Sequence, residues 1–252
     1  QSTSFMYFDS HIHSEGLGFS ELKTMSSAGI KKAITLAFYP VKPLYPQTFV
    51  DMFRKLMEFE TKRCKEAGID VYPAVGIHPR CIPPKYEFVV NYMDENDWFA
   101  FGEIGLETAS REEVEVLKSQ LRVAKQNDVP CIIHTPRSNK REITMKTLEI
   151  LKELSFPGEL TVIDHVNFDS LEVVLKADYW IGLTVQPGKL KPEDAARIVD
   201  THGTERFMLN SDAGFSDSDY TAVAKAARLI EGRLGSEADK VVYRNAKKFL
   251  RI

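Results

Sequence analysis

Short runs of β-branched, aliphatic and aromatic residues alternate with amphipathic segments along the chain. The runs are FMYFD, KKAITLAF (31–38), DVYPAVGI (70–77), WFAFGEIGL (98–106), VPCIIH (129–134), LTVIDH (160–165), YWIGLTV (179–185) and RFMLNSD (206–212). Near-continuous apolar runs of this length are the pattern of strands buried on both faces of a parallel sheet.

Between the runs the apolar spacing becomes helical. In 48–67, Phe49, Met52, Phe53, Leu56 and Met57 repeat at i, i+3, i+4, i+7 and i+8, and Gly68 follows as a stop. Ser110 with Glu113 has capping-box spacing and opens a helix through Val114, Leu117, Leu121 and Ala124. Ile143, Leu148, Leu151 and Leu154 form a further stripe that ends at Pro157-Gly158. Shorter helices are expected near 20–28, 84–95, 169–177, 191–201 and 218–231, with a last one over 236–250. Eight strands alternating with helices predict an α/β fold, a (β/α)8 TIM barrel forming one domain over 1–252. A doubly wound open sheet is the alternative, but no GxGxxG follows the first run.

Composition narrows the function. Hydrophobic residues make up 43% of the 252 and charged ones 27%, enough for a sizeable core. A net charge of −3 argues against a strongly basic nucleic-acid coat. Cys64, Cys81 and Cys131 are far apart with no CxxC, which fits a reducing cytoplasm and neither a disulfide framework nor a zinc–cysteine site. No apolar run approaches the ~18 residues of a membrane-spanning helix, so no membrane partner is expected. The first few residues read as an unstructured start.

Candidate chemistry collects at the ends of the apolar runs. The first ends in His11 and His13, which point to one face of a strand together with Asp9. The third leads into His78-Pro79, the fourth carries Glu103, and the fifth, sixth and eighth end in His134, His165 and Asp212. In a (β/α)8 barrel these are the strand ends that carry chemistry. His202 falls elsewhere and reads as a helix C-terminal residue favoured by the dipole. Buried imidazoles and carboxylates need partners, so a ring of them points to metal. Four histidines, a glutamate and an aspartate suit a pair of divalent ions, and imidazole with carboxylate favours zinc, manganese or iron, whereas magnesium prefers oxygen ligands.

The ordered set DSHIHS, GIHP, FGEIGLE, VPCIIHT, the histidine of DHV, LNSDA and YRNAKKFL resembles the TatD-like metal-dependent hydrolases of the amidohydrolase superfamily. The resemblance runs nearly the whole chain. It implies one ion held by His11, His13, Glu103 and Asp212, and a second held by a bridging Glu103 with His134 and His165. It also implies metal-dependent cleavage of DNA among the family's activities. The chain departs from the family pattern with Glu107 where an aspartate is usual, and with Arg80 where many members carry a second histidine.

The reading that follows is a hydrolase in which a metal-activated hydroxide attacks an ester bond, a phosphodiester before others and nucleic acid among them. Glu103 and Asp212 are the catalytic residues, with Asp212 accepting the water's proton. The cofactor is two divalent ions, zinc first and manganese or magnesium as alternatives. His78, Arg80 and Arg137 are assigned to substrate, with Asn167 and Ser211 as supporting hydrogen-bonding residues. RSNKRE (137–142) reads as a solvated loop before it reads as a nucleic-acid patch. Phe49, Phe53 and Phe59 read as packing or a subunit contact, and monomer and homodimer stay open. The alternatives are a hydrolase of a small amide, lactone or phosphoester, and a non-catalytic metal-binding barrel.

Overall fold

The computed structural model describes residues 6–252. The expected unstructured start and Phe5 of the first apolar run lie outside the described residues. The strands are β1 (Tyr7–Ile12), β2 (Ile30–Leu36), β3 (Asp70–Val75), β4 (Ala100–Gly105), β5 (Cys131–His134), β6 (Thr161–Ile163), β7 (Trp180–Thr184) and β8 (Phe207–Asn210). Each of the eight runs supplies one of them, and they are neighbours in sequence order. The longer intervening helices are α1 (Phe19–Ser27), α2 (Gln47–Lys55), α3 (Thr61–Glu66), α4 (Tyr86–Asp94) and α5 (Arg111–Asn127). They continue with α6 (Lys140–Glu153), α7 (Leu171–Leu175), α8 (Pro192–His202), α9 (Ala222–Leu234) and α10 (Asn245–Leu250). Parallel strands alternating with helices in this order are the (β/α)8 TIM barrel that the apolar pattern predicts.

The chain forms two compact units. One comprises the chain up to Thr35, Glu58–Tyr72 and Ile181–Ile252. Here β7 pairs β8 from Ile181↔Phe207 to Thr184↔Asn210, and β1 pairs β2. The end of β8 joins β1: Asp212 N donates to His11 O at 2.9 Å, and His13 N donates to Ala213 O at 2.7 Å. Asp9 locks the same junction. Its buried carboxylate accepts from Ser211 Oγ at 2.6 Å, from Ser211 N at 3.1 Å and from His11 N at 3.2 Å. Burial nonetheless pushes the Asp9 carboxyl up to about 7, against the Ser211 and His11 hydrogen bonds that act to lower it. Asn245, at the start of α10, donates through Nδ2 to Thr204 O at 2.8 Å and Phe207 O at 2.7 Å. That side chain ties the closing YRNAKKFL segment to the entry of β8.

The other unit comprises Leu36–Met57 and Pro73–Trp180. β3 pairs β4, β4 pairs β5 and β5 pairs β6, all parallel. Gly105, at the end of β4, has a φ of +151°, and a Cβ there would stand 2.5 Å from His134 O. Only glycine lets β4 approach the end of β5 this closely.

Several local expectations change. The helix over 48–67 contains a π turn at Leu56–Glu60, which leaves Phe59 exposed and buries Glu60. The extra residue in that turn rotates the face that follows, so the aromatic stripe stops at Phe53, whose ring meets Phe49 and Trp98 edge to face. In α6 the inward face is Thr144, Thr147, Ile150 and Leu151, so Leu151 of the expected stripe is buried as read, while Ile143, Leu148 and Leu154 lie at its half-buried margin. The last helix is broken into a 3-10 turn at Gly235–Glu237, a π turn at Lys240–Arg244 and α10. Among the described residues no helix is long and apolar enough to cross a membrane.

Two stability predictions follow from these contacts. Asn245→Ala strips the Thr204 and Phe207 carbonyls of a buried donor and should cost about 2–4 kcal/mol, read from the denaturant midpoint. Asp9, raised from 3.8 to about 7, holds a proton in the folded state that the unfolded chain has released. Its contribution is therefore complete below about pH 4 and is lost as pH rises through about 7. Denaturation of metal-free protein across this window should show wild type losing stability relative to Asp9→Asn, and a difference that does not move with pH would mean that Asp9 is ionised throughout.

Candidate metal centre

In the first unit, the alternation of β1 delivers His11 and His13 to the same place. Their Nε2 atoms are 3.2 Å apart, and the rings meet edge to face. Asp212 follows β8 in the left-handed region, with φ at +49°. This turn brings Oδ1 to 3.3 Å from His11 Nε2 and 3.2 Å from His13 Nε2. Both imidazoles are buried. Two ring nitrogens and a carboxylate oxygen focused at this separation need a cation or a proton among them, because lone pairs facing each other repel.

Residues that carried no periodic signal hold this group in place. Asp212 Oδ2 accepts from Lys189 Nζ at 2.8 Å. Gln186 Nε2 donates to the carbonyls of Ser211 and Asp212, each at 3.1 Å. Gly214, with φ at +146°, comes so close that a Cβ would lie 2.3 Å from His13 O. Asp9 shares the sequence face of the two histidines, but its carboxylate turns to Ser211 and the His11 backbone. Ser211 thus acts on the junction through Asp9.

In the second unit the focus is Glu103, a carboxylate buried within β4. Its Oε1 lies 3.1 Å from His134 Nδ1, 3.2 Å from His165 Nε2 and 3.8 Å from His78 Nε2. His134 is the last residue of β5. Its other nitrogen, Nε2, lies 2.6 Å from Glu107 Oε2. Burial alone would lower the His134 pKa, but the hydrogen bonds to Glu103 and Glu107 outweigh it and raise it. Burial would likewise raise Glu107, and the His134 contact brings it below the usual glutamate value.

His165 lies just past β6 with φ at +55°. Its backbone N donates to Asp164 Oδ1 at 2.9 Å, and its carbonyl accepts from Lys140 Nζ at 2.8 Å. Lys140 is buried and also donates to Thr135 Oγ1 at 2.9 Å. The stretch 137–142 is therefore not uniformly a solvated loop: Lys140 ties together the residues that follow β5 and β6. His78 Nδ1 accepts from Arg80 N at 3.0 Å, which puts the proton of a neutral ring on Nε2, facing Glu103. In that form His78 is a donor and offers no lone pair to a metal.

The residues expected at the substrate are spread out. Arg80 is exposed, with its guanidinium 5.4 Å from the Phe38 ring centre. Arg137 is exposed and lines a surface cavity with Asn139, Arg141, Phe168 and Asp169. Asn167 Oδ1 accepts from Asp169 N, a turn contact at the entry to α7. The cysteines are buried, and desolvation pushes the Cys64 and Cys81 thiols up to about 11, so they supply no thiolate at neutral pH.

The donor types fit a metal. One cluster offers two imidazoles and a carboxylate, the other a carboxylate with His134 and His165, a mixture suited to zinc, manganese or iron. His78, Glu103 and His134 also satisfy the spacing of a candidate ion site.

The comparisons agree with this chemistry. The family model described as TatD related DNase matches residues 8–250. An uncharacterized metal-dependent hydrolase of Methanocaldococcus jannaschii is 35% identical, covering 97% of this chain and 99% of the relative. The crystal structure of the TatD-like protein from Archaeoglobus fulgidus is 60% identical, with a TM-score of 0.88 over 98% of this chain and 100% of that one. The phosphotriesterase homology protein from Escherichia coli, complexed with phosphate, shares the fold, with a TM-score of 0.70 at 14% identity over 98% and 99% of the two chains. A whole-length family match, on a chain whose strand ends gather imidazoles and carboxylates, assigns this protein to the TatD family of metal-dependent hydrolases.

Proposed function

We propose that the protein is a dinuclear metal hydrolase that cleaves phosphoester bonds, phosphodiesters foremost. The observation that carries this reading is Glu103, a buried carboxylate with His134 and His165 on one oxygen. His11, His13 and Asp212 are assigned to one ion and His134 and His165 to the other, with Glu103 shared between the two. When bound, such ions supply Lewis acidity, which polarises an ester and makes water more acidic. The family description, TatD related DNase, supports phosphodiesters as substrate.

Asp212 is the proton acceptor in this reading. Its Oδ1 faces the two imidazoles while Lys189 holds Oδ2, so the carboxylate is fixed in orientation before substrate arrives. His11 and His13 fix the position of that oxygen from the β1 side. A proton taken from the attacking water by Asp212 is passed to the leaving oxygen. Arg80, His78 and Arg137 are assigned to the substrate, where a guanidinium forks onto phosphate oxygens.

The test is metal analysis of purified protein, followed by assays on phosphodiester, phosphomonoester, lactone and amide substrates with and without chelator. Phosphodiester turnover that disappears on chelation and returns with zinc or manganese is expected; turnover indifferent to chelator, or confined to lactones or amides, overturns the reading. Glu103→Gln keeps the shape but removes the shared charge, and should lose metal and at least ~10²-fold in kcat. Oligonucleotide affinity should fall steeply between low and physiological salt as counterions are released.

A further inference from the structure

Glu107 stands at the end of the GEIGLE run, outside the ligand set, yet it makes a 2.6 Å contact with one of the proposed ligands. We infer that Glu107 is a positioning residue that fixes the proton of His134 on Nε2 and so presents Nδ1 to the metal beside Glu103. The inference rests on the metal reading above.

The geometry of the ring carries it. A neutral imidazole has one N–H and one lone pair. His134 Nε2 lies against Glu107 Oε2, and Nδ1 lies 3.1 Å from Glu103 Oε1. Two carboxylates compete for the single hydrogen of the neutral ring, and the nearer one, Glu107 at 2.6 Å against 3.1 Å for Glu103, keeps it on Nε2, while an ion takes the place of a proton between Nδ1 and Glu103. The lone pair then falls on Nδ1, on the side of Glu103. An ion approaching Glu103 and His165 meets that lone pair without any rotation of the ring.

Glu107 can hold the ring because it is itself held. Glu113 Oε1, in the first turn of α5, accepts from the backbone N of Glu107 at 2.6 Å, of Thr108 at 2.9 Å and of Ala109 at 3.1 Å. Glu113 Oε2 accepts from Thr108 Oγ1 at 2.7 Å, and the backbone N of Glu113 donates to Ser110 Oγ at 3.2 Å. The capping pair expected from the sequence is thus half realised. Ser110 caps α5, while the Glu113 carboxylate gathers the loop instead of returning to Ser110. Helix α5, the loop 107–109 and the His134 ring form one hydrogen-bonded chain. A carboxylate on the far nitrogen of a ligating histidine fixes its tautomer and raises its basicity, and losing such a partner typically weakens metal binding by about 10–100-fold.

The experiment compares wild type with Glu107→Leu, which removes the acceptor, and Glu107→Gln, which keeps the shape and a neutral acceptor. In metal-free protein, proton NMR should show a downfield His134 Nε2–H resonance in wild type that is absent from Glu107→Leu. Its absence from wild type, or its persistence in Glu107→Leu, overturns the assignment. Competition with a chelator should show zinc held about 10–100-fold more weakly by Glu107→Leu, with Glu107→Gln in between. On zinc-loaded wild type, nitrogen-15 shifts of the ring should show a protonated Nε2 and a metal-bound Nδ1. Equal zinc affinity, or zinc on Nε2, overturns the inference. If Glu107→Leu does not fold by circular dichroism, Glu107→Gln carries the affinity comparison. A wild type that takes up no zinc would sink the metal reading itself, while the resonance in metal-free protein would still report whether Glu107 holds the ring.

Discussion

A carboxylate inside an apolar strand has to be neutralised where it stands, and that constraint governs the arrangement around Glu103. The residue is 3% exposed, so water does little to stabilise its charge. The remedy is a set of imidazoles from neighbouring strand ends, His134 from β5 and His165 from just past β6, with His78 after β3 facing the same oxygen. Each is delivered by the parallel sheet, which puts the C-terminal ends of adjacent strands side by side. Gly105 allows the closest of these approaches, and the bulge between Phe101 and Ile104 adjusts the register in which Glu103 lies.

Behind the proposed ligands stand residues that touch them without joining them. Glu107, itself tethered by Glu113, faces His134, while Lys140 holds the carbonyl of His165. In the other unit Lys189 takes the outer oxygen of Asp212, Gln186 takes two carbonyls, and Asp9 clasps Ser211 and the backbone of His11. Charged groups in a poorly solvated site interact strongly, so an unsupported ligand would swing toward whichever partner was nearest. These contacts settle the orientations in advance. They also explain why the chain keeps lysine and glutamate side chains in positions where burial is costly.

The residues proposed for the chemistry and those proposed for the substrate lie on different parts of the chain. The ligand-type residues lie on or next to strands, where the backbone ladder limits movement. Arg80 and Arg137 lie in loops and are exposed. Loops of one barrel can therefore change their partners without disturbing the residues beneath them. The family assignment accordingly speaks first to metal-dependent hydrolysis and only then to the molecule hydrolysed.

The sequence by itself determined the alternation of strands and helices and the place of His11, His13, Glu103, His134, His165 and Asp212 within or just after the apolar runs. Hydrophobic period is a local property, and a polar residue closing an apolar run is visible without knowing its neighbours. Much of the helical detail was legible for the same reason: Ser110 at the start of α5, Gly68 after α3 and His202 at the end of α8 obey local capping and dipole rules. The π turn at Leu56–Glu60 was not, because the insertion of one residue into a helix is decided by what each face packs against. Glu107 on His134, Lys189 on Asp212 and Ser211 on Asp9 were hidden for a related reason. Those pairs are separated by 27, 23 and 202 residues, and only the tertiary structure brings them within hydrogen-bond distance. Direction, too, was decided in three dimensions: Asp9 shares the strand face of His11 and His13, yet donors from the end of β8 turn its carboxylate away from them, since a buried carboxylate points to where its hydrogen bonds are.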